Sequence, residues 1–154
     1  MDKKRICCFF GHRKIAKTEK LKIKLYDVVE NLIVNEDINI FLFGSKSQFD
    51  DLCLEIVTEL KEKYSYIKRI YVRAEFAEIS DDYKNYLFQY YDDTYYPAKV
   101  VNAGKASYVK RNFEMIDNSS FCVVYYDKNY LPPKRRNSKR DLTDYQPKSG
   151  TAIA

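Results

Sequence analysis

The sequence predicts an α/β fold built on an open, mostly parallel sheet of at least four strands, with helices on both faces. Two observations predict it. Short apolar runs, typical of strands buried on both faces, alternate along the chain with segments whose apolar residues recur at helical spacing. Two of these runs also end in a glycine turn, and parallel strands joined by helices bring such turns to one edge of the sheet. We therefore expect a three-layer fold with its ligand site at that edge.

The first predicted strand covers Ile6 to Phe10, and a glycine turn follows it. Gly11, His12 and Arg13 come directly after this run of five apolar residues. A glycine lets the backbone pass close to a ligand, and the two side chains after it can donate to an anion. The alternative is a solvated basic turn, in which His12 bonds to the backbone instead of a ligand.

A first helix and a second strand come next. The helix has Thr18 as its expected N-cap and keeps helical spacing as far as Leu32, and the breaking residues 35–37 end it. The second strand is predicted over 38–43. A second glycine turn follows it, with the residues Gly44, Ser45 and Lys46.

The second predicted helix has the clearest pattern in the chain. Ser47 can cap it, and Asp50 and Asp51 in its first turn suit the helix dipole. Its amino end points back at the Gly44 turn, so we expect its backbone amides to face whatever binds there. Its apolar positions are Phe49, Leu52, Cys53, Ile56, Val57 and Leu60.

A tyrosine-rich segment, 83–91, follows a third strand predicted from about Lys68 to Arg73. We expect one helix with an aromatic face and then an irregular stretch. Aspartates flank the face and would repel phosphates, so it is interpreted as core or as a homo-oligomer contact, and not as a base-stacking platform. The positions at helical spacing are Tyr83, Tyr86, Leu87, Tyr90 and Tyr91.

A further helix, 104–117, and a fourth strand, 121–126, complete the predicted sheet. The helix is expected to bury Ala106, Val109, Phe113 and Ile116. Strands one and four should meet at the point where the strand order reverses.

The end of the chain is polar and basic. A loop is predicted at 128–148. Its first part, from Lys128 to Arg140, carries six basic residues and no acid. Ser149, Gly150 and Thr151 then form a third glycine turn. Because the sequence stops at Ala154, we expect either a domain cut short at its carboxyl end or a partner that completes the sheet.

Size and composition favour a single domain, 1–154, in the cytoplasm. The chain has 154 residues, 45% of them hydrophobic, and no apolar run long enough for a membrane span or a signal peptide. One histidine and four cysteines without CxxC spacing argue against a metal site or a disulfide set. Cys7, Cys8, Cys53 and Cys122 are expected to be small buried hydrophobic residues.

The three glycine turns together make a phosphorylated or nucleotide-like ligand the leading hypothesis. Four sets of residues form an ordered series of motifs: Gly11-His12-Arg13, Phe43-Gly44 with Phe49-Asp50, Tyr108-Val109-Lys110-Arg111-Asn112 with Met115-Ile116-Asp117, and Ser149-Gly150-Thr151-Ala152. In these motifs the chain resembles the SLOG superfamily of Rossmann-like nucleotide-binding proteins, and in particular a small bacterial branch of it.

The resemblance implies a Rossmann-like domain that binds a nucleotide or an ADP-ribose-like signal, as a sensor, and that requires no cofactor. Relatives in this superfamily include DNA-processing proteins, cytokinin-activating phosphoribohydrolases and sensor modules of bacterial defence systems. Together the turns and the resemblance give the expected ligand-binding residues Gly11, His12, Arg13, Gly44, Ser45, Lys46, Arg111, Asn112, Ser149, Gly150 and Thr151.

Two alternatives stay open. The phosphoribohydrolases of the superfamily use an arginine that matches Arg111 and a glutamate whose position falls here on Ala154, so N-glycosidase activity on a nucleoside monophosphate would need Glu75, Glu78 or Asp127 as its carboxylate. The other alternative is nucleic-acid binding through the basic loop. That loop lacks interleaved aromatic residues, which makes nucleic acid the less expected partner.

Overall fold

A computed structural model describes residues 3–44, 46–127 and 129 of the chain. The strands are β1 (Ile6–Gly11), β2 (Ile40–Phe43), β3 (Lys68–Val72), β4 (Asp93–Tyr95) and β5 (Phe121–Tyr125), and the helices are α1 (Glu19–Asn35), α2 (Gln48–Lys63), α3 (Asp81–Leu87) and α4 (Ser107–Asp117). They form one sheet of five strands, all parallel, in the order β4-β3-β2-β1-β5. The predicted fold class is confirmed.

Two apolar clusters, one on each face of the sheet, hold the layers together. Alternate residues of β1 belong to different clusters: Cys7 and Phe9 pack with α1 and α2, whereas Cys8 and Phe10 pack with Met115 of α4. This alternation is the two-residue period of a strand that is covered on both sides. The helices therefore lie on both faces, as the sequence predicts.

The strand order reverses between β1 and β5. β1 pairs with β2 through Cys8 and Leu42, and on its other side with β5 through Cys8 and Cys122. The chain thus adds β2, β3 and β4 on one side and then returns through α4 to the other. This is the meeting of the first and the last predicted strand that the sequence indicates, and it gives the sheet a switch point.

The starts of the first two predicted helices are correct because short polar side chains satisfy their first free amides, whereas the last helix, predicted from 104, begins at Ser107. The Oγ1 atom of Thr18 accepts from the Leu21 N–H at 3.1 Å, and the Oγ atom of Ser47 accepts from the Asp50 N–H at 3.0 Å. The second strand is shorter than predicted, since β2 begins at Ile40 and not at 38.

The tyrosine-rich segment contributes to the core and to the surface. Leu87 is buried, and Tyr83 and Tyr91 pack against the α1–α2 cluster, whereas Tyr86 and Tyr90 stay exposed with their rings 5.4 Å apart. An oligomer contact through these rings stays a prediction. The stretch expected to be irregular holds a strand, β4, whose three acidic and polar residues gave no apolar run in the sequence.

The predicted buried side of the last helix is correct only in part. Ile116 packs against the cluster on this face, but the buried residues are Arg111 and Met115, while Phe113 is 43% exposed. The apolar pattern predicts a different buried side because arginine is rarely buried, so Arg111 was not assigned to the core. Turning the helix in this way aims Arg111 at the sheet.

The expectation that all four cysteines are buried is also wrong at one position. Cys7, Cys8 and Cys53 are buried, and Cys122 is exposed. Within 3–44, 46–127 and 129, no helix is long and apolar enough to cross a membrane. The same residues contain no group of three histidine, cysteine or acidic side chains arranged to hold a metal ion.

Several predicted features lie outside the described residues. They are Ser45 of the second glycine turn, the basic loop apart from Asn129, the turn Ser149-Gly150-Thr151, and Ala154.

Candidate site at the carboxyl edge of the sheet

The topology brings two predicted glycine turns and one buried arginine to the same edge of the sheet. Because β1 and β2 are parallel neighbours, the turns after Gly11 and Phe43 lie side by side. Helix α4 leads into β5 and so runs antiparallel to the strands, which places its first half, with Arg111, at the carboxyl edge. We call Gly11–Arg13, Gly44, Lys46 and Arg111 with its contacts the edge site.

The first turn is tied to the start of α2 by two hydrogen bonds. The Gln48 N–H donates to the carbonyl oxygen of Arg13 at 2.8 Å, and the Gln48 Oε1 atom accepts from the Ile15 N–H at 2.9 Å. These bonds fix the path of the chain beyond β1. The side chain of Arg13 is exposed at this edge, so its charge faces solvent.

Gly11 is explained by helix packing. A Cβ atom at this position would stand 2.2 Å from the Cγ atom of Phe49, well inside van der Waals contact. The phenyl ring of Phe49, which is fully buried, occupies the space that a side chain would need. The glycine therefore permits close packing of α2 on β1, and the close approach that its presence suggested is made by Phe49.

His12 joins the two strands of the switch point. Its side chain is buried, and its Nε2 atom accepts a hydrogen bond of 2.7 Å from the backbone N–H of Asp127, beyond β5. Its ring also lies edge-on to Tyr125 and beside Tyr126, with centroids 6.0 and 5.4 Å away. Of the two interpretations of His12, the structure shows the bond to backbone.

The second turn is built around a buried carboxylate. Asp50 is only 2% exposed, and its Oδ2 atom accepts from the Gly44 N–H at 3.5 Å. Its Oδ1 atom accepts from the Ser47 hydroxyl, also at 3.5 Å. The Ser47 hydroxyl oxygen in turn accepts from the Asp50 N–H, which caps the start of α2. Asp50 thus holds the end of β2 to α2.

Arg111 reaches the same turn from the opposite face of the sheet. Its guanidinium donates a hydrogen bond to the carbonyl oxygen of Gly44, and the side chain is only 5% exposed. It also contacts Asn112, whose Oδ1 atom lies 3.3 and 3.4 Å from two of its nitrogens. The alternative partners on its own helix, Glu114 and Asp117, form ion pairs with Lys99.

An aromatic and an acidic residue extend this cluster. The guanidinium carbon of Arg111 lies 5.4 Å from the centre of the Tyr108 ring, a cation–π contact. The Tyr108 hydroxyl in turn donates to the Oε1 atom of Glu75 at 2.6 Å. Of the three acids considered for catalysis, Glu75 is thus joined through Tyr108 to Arg111, whereas the Asp127 carboxylate accepts from the Asn129 N–H at 2.9 Å.

Burial sets the electrostatics of the edge site. Burial lowers the pKa of the Arg111 guanidinium, while the nearby Tyr71 and Asp50 oppose that shift. Burial likewise raises the pKa of Tyr71 to about 12. Arginine keeps its proton at neutral pH even so, and the site therefore holds a desolvated positive charge next to a buried carboxylate.

Three backbone amides at this edge are used within the protein. The N–H groups of Gly44, Gln48 and Asp50 all donate to protein oxygens. At these three positions the amides expected to face a ligand are engaged, and positive side-chain charge beside them can attract an anion. The exposed Arg13 and Lys46 side chains and the buried Arg111 supply that charge.

Sequence reasoning did not place Asp50 and Tyr108 among the ligand-binding residues, although both stand in the motifs of the resemblance, and it considered Glu75 only as one of three candidate catalytic acids. Asp50 carried a usable signal, because Ser47 and Asp50 have the spacing of a capping box directly after a buried strand. The Tyr108–Glu75 contact joins residues 33 positions apart, and no local pattern in the sequence indicates it.

Comparison with known proteins identifies no family for this chain. No model of a protein family matches the chain, and no curated protein matches it either. The resemblance to the SLOG superfamily rests on the motif residues alone.

Proposed function

We propose that the edge site binds the phosphate-bearing part of a nucleotide or of an ADP-ribose-like molecule. The observation that carries the proposal is the buried guanidinium of Arg111, which stands at the carboxyl edge of a doubly wound parallel sheet beside the turn after β2. In open α/β sheets, ligands bind outside the carboxyl ends of the strands near the switch point. The motif resemblance to SLOG proteins supports the same ligand class.

The charges of the edge site suit an anion. Arg13 and Lys46 are exposed on the two neighbouring turns, where they can steer and neutralise phosphate groups. Arg111 lies deeper and is already oriented by the Gly44 carbonyl and by Tyr108, so it pays little entropy on binding. In this proposal the protein is a binding or sensor domain that requires no cofactor.

A thermal-shift panel tests the proposal. The purified chain is heated with AMP, ADP, ATP, ADP-ribose, NAD, cyclic dinucleotides or short single-stranded DNA. A ligand at 100 times its Kd stabilises the folded state by about 2.7 kcal/mol, which gives a clear rise in Tm. Stabilisation by one nucleotide class supports the proposal, and a panel without any shift contradicts it.

Variants at the edge then locate the binding site. Replacing Arg13 with alanine is expected to weaken binding by about 1.5–3 kcal/mol if a charge-assisted bond to phosphate is lost. Lys3→Ala removes the same charge next to the amino end of β1, at the opposite edge, and serves as the matched control. Equal affinities of the two variants would place the ligand elsewhere.

A second candidate function follows from the Glu75–Tyr108–Arg111 contacts. They place one carboxylate near the guanidinium, as an N-glycosidase acting on nucleoside monophosphates would require. Release of free base that Glu75→Gln abolishes and Glu78→Gln preserves would support this activity. Nucleoside monophosphate that stays intact with the unmodified chain would exclude it.

A further inference from the structure

Two cysteine side chains lie side by side across β1 and β5. Cys8 and Cys122 are direct partners in the register of these parallel strands. Side chains at partner positions of adjacent strands point to the same face, here the face covered by α4, where Cys8 packs beside Met115. Cys7 points to the opposite face, into the α1–α2 cluster, and cannot take the place of Cys8.

The distances between paired strands suit a disulfide. Adjacent strands are about 4.7–4.9 Å apart, within the range of about 4.4–6.8 Å between the Cα atoms of disulfide-bonded cysteines. β5 is at one end of the sheet among the described strands. It can therefore move slightly relative to β1 without disturbing a second described strand pairing. The backbone thus already satisfies the main geometric requirement.

The two thiols differ in access and in acidity. Cys122 is exposed, while Cys8 is fully buried. A hydrogen bond from the Cys8 thiol lowers the pKa of Cys122, and the same bond, together with burial, raises the pKa of Cys8. An oxidant therefore meets the more acidic thiol first, with the second thiol directly behind it.

We propose that Cys8 and Cys122 form a peroxide-sensitive pair that closes to an intramolecular disulfide between β1 and β5. The Cys122 thiol ionises, its thiolate attacks hydrogen peroxide, and the O–O bond breaks to give a sulfenic acid and hydroxide, which takes up the proton released by the thiol and becomes the first water. The Cys8 sulfur then attacks the Cys122 sulfur, the S–O bond breaks, and the Cys8 proton leaves with the hydroxide as the second water. The two thiols lose two electrons in total, and the peroxide gains them.

The bond would act close to the switch point. Gly11 and Tyr125, three positions further along the two strands, are also register partners, and Gly11 begins the edge site. A covalent link between Cys8 and Cys122 would fix β5 against β1 just before this edge. Oxidation would thereby restrain the strands that lead to His12 and Asp127, whether or not the site binds a nucleotide.

Peptide mapping of the full chain tests the proposal. The protein is treated with hydrogen peroxide, unreacted thiols are alkylated under denaturing conditions, and the protein is digested with trypsin. We expect free thiols to fall from four to two per chain and peptide 6–13 to be linked to peptide 112–128, with the loss of two hydrogen masses. Dithiothreitol should restore all of the thiols.

Three variants complete the test. Cys122→Ser, at an exposed position, should keep its remaining thiols and form no linked peptide. Cys53→Ser, which removes a thiol from the other face, should form the same link as the unmodified chain. Fragmentation of the linked peptide, or the variant Cys7→Ala, shows whether Cys8 or Cys7 forms the link. Linkage between two chains, linkage through Cys7, or oxidation of Cys122 to a sulfinic acid with Cys8 still alkylated would overturn the proposal.

Discussion

The guanidinium of Arg111 donates a hydrogen bond to the carbonyl oxygen of Gly44, which ties α4 to the end of β2. The two residues also fit closely, since a Cβ atom at Gly44 would stand 2.9 Å from the Cδ and Nε atoms of Arg111. The same atom would stand 2.7 Å from the Sδ atom of Met115. Helix α4 therefore docks on this glycine through both of its buried side chains.

Replacing Arg111 with methionine is expected to destabilise the fold by about 1–3 kcal/mol, because the Gly44 carbonyl loses its donor and the buried Asp50 loses a nearby positive charge. Methionine keeps the apolar stem and isolates the effect of the charge. Urea denaturation measures the loss. Lys110→Met, at the exposed neighbouring position, is the matched control, and equal stability of the two variants would contradict the structural role of Arg111.

Replacing Gly11 with alanine is expected to destabilise the fold by about 1–3 kcal/mol, because the added methyl group collides with the Phe49 ring. A double-mutant cycle isolates the cause. In a Phe49→Ala background the Cγ and Cδ2 atoms of the ring are gone and only the contact with the Cβ atom at 2.4 Å remains, so Gly11→Ala should cost less there than in the unmodified chain. Urea denaturation of the four proteins gives the coupling energy, and additive effects would show that the collision with the ring is not the reason for the glycine.

Much of the fold follows from local patterns in the sequence. Strand β1 is a continuous apolar run, and α2 has regular spacing with a serine cap, so both elements could be located from the sequence to within a residue. The meeting of β1 and β5 follows from the alternation of strands and helices. These features depend on burial and capping, and both leave patterns within a short stretch of sequence.

The parts that sequence missed depend on contacts between distant residues. β4 has three residues and is held by partners elsewhere, such as Tyr71, whose carbonyl accepts from the Thr94 hydroxyl at 2.8 Å. The orientation of α4 depends on Gly44, 67 positions before Arg111. No pattern within α4 could show that its arginine is buried while Phe113 is exposed.

Asp92 supplies a prediction for acidic pH. Its carboxylate accepts from the Arg69 backbone N–H at 2.8 Å and from the Arg69 guanidinium at 3.1 and 3.2 Å, which fixes the turn into β4 on β3. Burial would raise the pKa of Asp92, but these bonds from Arg69 outweigh it, and the pKa is lowered from 3.8. A carboxyl group with a lower pKa in the folded chain than in the unfolded chain stabilises the fold at pH values above its unfolded pKa. That contribution is lost as the pH falls through the folded pKa.

Asp92→Asn should therefore cost about 1–2 kcal/mol at neutral pH, and the difference from the unmodified chain should shrink as the pH falls below about 4. Urea denaturation across this pH range measures it. Asp27→Asn, at an exposed position on α1, is the control and should change stability little at either pH. A difference for Asp92→Asn that stays constant with pH would refute the role of its charge.

Tyr71 supplies the corresponding prediction at alkaline pH. Burial raises its pKa from 10.0 to about 12, so between these values the unfolded chain releases a proton that the folded chain keeps. Stability from this group is complete below pH 10 and falls as the pH rises towards 12, by at most about 1.4 kcal/mol per pH unit. Tyr71→Phe should make the decline of the unfolding free energy shallower, whereas Tyr66→Phe, at a position 58% exposed, should not. Identical slopes for the two variants in urea denaturation would mean that the buried hydroxyl of Tyr71 does not control this decline.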